Sequence, residues 1–366
     1  MRTESDRLGV LTDHHCHGLV TTDLDRDGFE ALMNEAPRAP ALGPTLFDSM
    51  LGFAIRRHCA PVLALEPLAP ADAYLARRRE LGAAEVNRRF LTAAGIGTFL
   101  VDTGLDGPGG TALTTPAELA GLADGDAYQV VRLERVVEQV LREETDDVTG
   151  AVEDRLRTGG AIAAKSIAAY RVGLDLPAEK PGPDAVVAAL RGVDPQRVAD
   201  RTVSGWLAHT ALEIGLPLQL HTGYGDPDLD LLAADPLHLT AFLRGTQDLG
   251  APVLMLHTYP FHRHAAYLAQ VFDHAFMDLG LAVHNTGALS AGPIRETLEL
   301  VPFGSLLFST DAYGLAELYL LGALLFRRGF GGVVDDLFAA GDLTADDATH
   351  LAGLVARDNA ARVYGL

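Results

Sequence analysis

Eight short apolar runs, starting near residues 9, 97, 128, 160, 216, 252, 275 and 305, alternate with segments whose apolar residues recur at helical spacing. Near-continuous apolar strands separated by amphipathic helices specify a parallel sheet covered on both faces. Eight such units in 366 residues favour an α/β fold of the (β/α)8 TIM-barrel type over a doubly wound sheet. No composition break marks a second core, so a single domain over 1–366 is expected. The alternation is interrupted once, after the first strand, at about residues 25–94. There Phe29, Leu32 and Met33, then Phe47, Met50, Leu51, Ala54 and Ile55, recur at helical spacing. Pro37, Pro40, Pro44, Pro61, Pro67 and Pro70 cut the stretch into short helices. Asp72 is expected to cap a helix over 73–84, Thr114 or Thr115 to cap one through Leu122, and residues 135–144 to form another. So much helix reads as an insertion, placed where insertions often form a lid.

In such a fold the chemistry sits at the C-terminal ends of the strands. The first run ends in Leu11-Thr12-Asp13-His14-His15-Cys16-His17-Gly18. His15 and His17 stand two apart, so on a strand both imidazoles point to one face, and neutral imidazole is the commonest metal ligand. The fourth run ends on Lys165, the fifth on His221, the sixth on His257 and the last on Asp311. Four histidines, a carboxylate and a lysine at strand ends could hold one or two divalent ions. An ammonium cannot ligate a cation. Lys165 is therefore either carboxylated, giving a carbamate that bridges two metals, or it reaches a substrate carboxylate past a single metal. His14 and Cys16 point to the opposite face and read as structural. Arg171, Tyr170 and Arg263 lie just past strand ends, where arginine suits a substrate carboxylate. Tyr224, Tyr259, His262 and Tyr313 are loop residues of the same kind. The remaining histidines, His284 among them, read as structural.

The balance of 49 acidic against 29 basic residues, a formal charge of -20, disfavours a nucleic-acid or anionic-membrane surface. No apolar run is long enough for a membrane span, and residues 1–6 lack the apolar core of a signal peptide. Two cysteines, Cys16 and Cys59, make no disulfide framework, and a cytoplasmic location is the default expectation. The sequence leaves the oligomeric state open, a homo-oligomer included.

With His-x-His on the first strand, Lys165, His221, His257 and Asp311, the chain resembles the amidohydrolase superfamily of metal-dependent hydrolases. Finer features are similar to the branch whose amidohydrolase-like domain is joined to a glutamine-synthetase-like domain in some fungi and plants. These are Lys165-Ser166-Ile167-Ala168-Ala169-Tyr170-Arg171, His221-Thr222-Gly223, His257-Thr258-Tyr259-Pro260-Phe261 and Asn359-Ala360-Ala361-Arg362-Val363-Tyr364-Gly365. No synthetase-like domain follows, so the barrel is expected to stand alone.

The resemblance implies one metal on His15, His17 and Asp311 and another on His221 and His257, with carboxylated Lys165 bridging. Zinc comes first, with manganese, iron or nickel as alternatives. It further implies that a hydroxide on the ions attacks a carbonyl polarised beside His257 while Asp311 passes the proton to the leaving group. The expected function is hydrolysis of a C–N (amide) bond in a small carboxylate-bearing substrate. A single-metal decarboxylase-type lyase is the alternative, and a non-catalytic binding module the reading from another class.

Overall fold

The computed structural model describes residues 8–36, 42–43, 45–143 and 145–366. The readings at residues 1–6, Pro37, Pro40, Pro44 and Glu144 fall outside them. The chain divides into two compact units. One takes in the described residues of Met1–Tyr128 with Leu279–Glu299 and Leu307–Ala361; the other takes in Gln129–Asp278, Leu300–Leu306 and Arg362–Leu366.

In the first unit, β1 (Leu11–Cys16) is buried along its whole length and pairs in parallel with β2 (Ile96–Asp102). Residues 305–311, expected as an eighth strand, form no such ladder. Instead His14 N–H donates to the Phe308 carbonyl (3.1 Å) and Asp311 N–H to the His15 carbonyl (3.0 Å). Between these two bonds the Thr310 N–H goes to the Asp13 carboxylate at 2.9 Å, and the Thr310 hydroxyl donates to its other oxygen at 2.5 Å. A side chain has taken the donor that a ladder would have used. Asp311 then turns into the left-handed region at φ 51°, which ends extended pairing.

The stretch between β1 and β2 is helical, as read: Arg26–Ala31, Met50–Ala54, Ala71–Leu81 and Ala83–Ala94 among its elements. Asp72 is not a cap. Pro70 takes that place, and Asp72 lies in the first turn, where it pairs with Arg26. Gly82, at φ 76°, ends one helix and opens the next, where a single helix over 73–84 is expected from the sequence. Thr115 does cap Pro116–Ala123, in a reciprocal capping box with Glu118.

This helical stretch is fastened to the long helix Ala316–Ala340 by a buried charge pair. Glu317, 0% exposed, accepts from Arg78 Nε (2.8 Å) and from the Tyr74 hydroxyl (2.8 Å). The Arg78 guanidinium lies over Phe29, which stacks on Phe47. Two residues beyond Glu317 on the same helix, the Tyr319 hydroxyl donates to the His17 carbonyl. One helical turn thus ties both the helices between β1 and β2 and the end of β1.

The second unit carries β3 (Asp126–Arg132) from Gln129 onward, β4 (Ala163–Ser166), β5 (Leu218–His221), β6 (Val253–Leu256) and β7 (Ala275–Met277). Each pairs in parallel with the next in chain order, with Arg132 opposite Lys165, Lys165 opposite Gln219, and His221 opposite Leu256. The last four are buried throughout, as near-continuous apolar runs require. The helices Leu133–Arg142, Val148–Thr158, Arg201–Ile214 and His262–Val271 lie between them in the chain. Leu306 adds one parallel bridge to Met277. Parallel strands linked through helices make an α/β fold, as expected. Among the described residues no helix is long and apolar enough to cross a membrane.

Two outcomes follow from the buried charges. Glu317→Ala strands Arg78 without its counter-charge and should lower unfolding free energy by about 3–5 kcal/mol, read by urea denaturation; a change below about 1 kcal/mol would contradict the anchoring role. Burial pushes the Asp13 carboxyl from 3.8 up to about 8, against the lowering effect of its Thr310 hydrogen bonds. Between those values the folded, metal-free protein keeps a proton that the unfolded chain has released, so stability falls as pH rises through the window. Wild type should lose stability relative to Asp13→Asn from pH 4 to 8, and parallel profiles would contradict the shift.

Candidate metal centre

The first unit brings His15, His17 and Asp311 together. Both imidazole Nε2 atoms approach the same carboxylate oxygen, Asp311 Oδ1, at 3.2 Å from His15 and 3.4 Å from His17. The two rings stand edge to face at 5.2 Å. His17 Nδ1 lies 3.2 Å from the backbone carbonyl of Asp102. Donation there places the ring proton on Nδ1 and leaves the Nε2 lone pair facing Asp311, the second contact that metal-binding histidines commonly make. Two nitrogens and a carboxylate oxygen converging at a buried strand end fit a divalent ion. Cys16 faces away, its thiol toward the Leu100 carbonyl at 3.5 Å, and burial pushes its pKa well up, so it is no thiolate ligand.

In the second unit His221 and His257 lie side by side, ring centroids 4.7 Å apart, and Lys165 is 2% exposed on β4. His221 Nε2 is engaged: the Tyr170 hydroxyl is at 3.0 Å and the Tyr224 carbonyl at 3.2 Å. Gly225 makes this possible, because a Cβ there would lie 1.9 Å from the Tyr170 hydroxyl. His257 stands one residue past β6 with φ 69°, and its N–H donates to Asp278 Oδ1 at 2.6 Å. Arg171 is largely buried, with Nη2 3.4 Å from Glu138 and no hydrogen-bond partner for Nε among the described residues. Tyr224 and Tyr259 meet edge to face at 5.8 Å. Arg263 is exposed, in the first turn of His262–Val271.

Three buried residues at these places, Asp102, Asp278 and Glu134, are not singled out by the sequence, and a fourth, His284, reads there only as structural. Asp102 ends β2 and Asp278 follows β7, so the strand-end rule reaches both. Glu134 holds Ser166 Oγ at 2.7 Å and the Ile167 N–H at 3.0 Å, fixing the chain just past Lys165. His284, on the short helix Leu281–Asn285, is pulled down to about 4 by burial, with the Asp311 charge acting the other way, so it is neutral at pH 7. No periodic signal marks Glu134 or His284, because only tertiary packing buries them.

No protein-family model matches the chain. It is 31% identical over 232 residues, 59% of its length, to Protein fluG of Emericella nidulans, of whose length it spans 27%. A crystal structure from Lactobacillus casei, described as a proposed metal-dependent hydrolase, superposes with TM-score 0.85 at 26% identity, over 98% of this chain and 95% of that one. Uronate isomerase from Thermotoga maritima shares the fold at TM-score 0.62 and 11% identity, over 100% of this chain and 98% of that one. Glucuronate isomerase from Caulobacter crescentus does so at 0.61 and 14%, over 100% and 94%. The likeness read in the motifs is supported: the chain is similar to a proposed metal-dependent hydrolase over nearly all of its length and to Protein fluG over 59% of it.

Proposed function

We propose that this chain is a metal-dependent hydrolase that cleaves a C–N (amide) bond in a small carboxylate-bearing substrate, on a single (β/α)8 barrel with residues 25–94 as its lid. The observation that carries the reading is the convergence of His15 and His17 Nε2 on Asp311 Oδ1. The 26% likeness to a proposed metal-dependent hydrolase supports it.

His15, His17 and Asp311 would hold one ion and His221 and His257 a second, with carboxylated Lys165 completing the set. A divalent ion held by these residues would supply a polarised carbonyl and a bound water whose pKa falls from 15.7 to about 7. Asp311 takes the proton from the attacking water and hands it to the departing amine, a role for a carboxylate held beside two neutral imidazoles. Arg171, its Nε within the fold, receives the substrate carboxylate. Tyr170 and Tyr224 hold His221, and Tyr259 and Arg263 are the outer substrate contacts. A γ-glutamyl-type amide would suit the resemblance to amidohydrolase-like domains joined to a glutamine-synthetase-like domain.

A single-ion lyase is the second reading, favoured by the engagement of His221 Nε2 with Tyr170 and Tyr224. There Lys165, uncarboxylated, pairs with a substrate carboxylate. Metal analysis of the purified protein separates the two. The hydrolase reading expects two ions per chain, and Lys165→Ala should lose one of them with most amide hydrolysis. One ion in wild type, unchanged in Lys165→Ala, supports the lyase. Protein that binds no divalent metal overturns both.

A further inference from the structure

We infer that Asp102 is a further ligand of the ion held by His15 and His17, making with Asp311 a set of two nitrogens and two carboxylates. The inference rests on the metal reading above and assigns the end of the second strand a part in it. Asp102 is the last residue of β2, and the register that sets Cys16 opposite Val101 brings Asp102 beside His17. A carboxylate oxygen of Asp102 and one nitrogen each of His15 and His17 all lie within 4.8 Å of one another. The side chain is 1% exposed, and Oδ1 accepts the Gly104 N–H at 2.8 Å, which fixes the carboxyl group in place. The backbone carbonyl of the same residue sets the His17 tautomer. One residue therefore orients one ligand and presents another.

Charge balance argues the same way. Asp102 and Asp311 both act on the Cys16 thiol, so two carboxyl groups lie close to His15 and His17. Like charges packed away from water repel, and a cation among them removes the penalty. Two neutral imidazoles and two carboxylates neutralise one divalent ion without any help from Lys165.

The set also bears on which metal is used. Four protein ligands close a tetrahedral zinc site, whereas catalysis needs a position left open. An ion that accepts six ligands, such as Mn2+ or Fe2+, keeps open positions with the same four residues and tolerates a carboxylate-rich shell.

The test is Mn2+ and Zn2+ titration of chelator-treated protein by calorimetry, wild type against Asp102→Asn, which preserves the backbone carbonyl. Asp102→Asn should weaken Mn2+ binding about tenfold or more, and Zn2+ binding by a smaller factor. An anomalous-scattering map of wild-type crystals soaked in Mn2+ decides the matter even if the variant misfolds. It should place the ion in bonding contact with His15, His17 and Asp102. Equal Mn2+ affinity in the folded variant, or an ion on His15 and His17 but away from Asp102, overturns the inference and leaves the metal reading standing. Wild type that binds neither metal overturns both.

Discussion

Everything proposed for this chain depends on one carboxylate oxygen, Asp311 Oδ1, facing the Nε2 atoms of His15 and His17. Nothing about a strand end guarantees that geometry. Asp311 has to leave the extended region, and Asp is among the few residues that tolerate a left-handed conformation. Its neighbour Thr310 is held by Asp13 through both backbone and hydroxyl. His17 is held from behind by the Asp102 carbonyl, and its own carbonyl by Tyr319. The reacting groups are few; the groups that aim them are several.

This aiming puts polar groups where burial penalises charge. The raised Asp13 carboxyl and the depressed His284 both record the cost of removing water around β1. A divalent ion changes the balance, since it supplies the one charge that carboxylates and neutral imidazoles jointly lack. The Arg78–Glu317 pair solves a similar problem without metal, by pairing charge with charge under the helical stretch. That pair anchors the helices between β1 and β2 at the Arg78 turn.

Much of this was legible from residue order. Near-continuous apolar runs set between segments of helical spacing located seven strands, and the strand-end rule selected His15, His17 and Asp311. The same rule applied to every strand would have included Asp102 and Asp278, which close apolar runs just as His221 does. What residue order could not show is competition for hydrogen bonds. The stretch at 305–311 has a strand's composition, yet an aspartate distant in sequence intercepts its donor. His221 has a ligand's position, yet Tyr170 and Tyr224 reach its Nε2. Glu134 and His284 are buried by neighbours that no local pattern names.

The central claim is that His15, His17 and Asp311 hold a divalent ion in the folded protein. Ligand that binds only the native state raises stability, by about 2.7 kcal/mol at a hundredfold excess over Kd. The direct measurement is thermal unfolding of chelator-treated wild type and His17→Ala, each with and without added Mn2+ or Zn2+. The account predicts a clear rise in Tm for wild type and its loss or near-loss in His17→Ala. No rise in wild type, or an equal rise in both proteins, would contradict it.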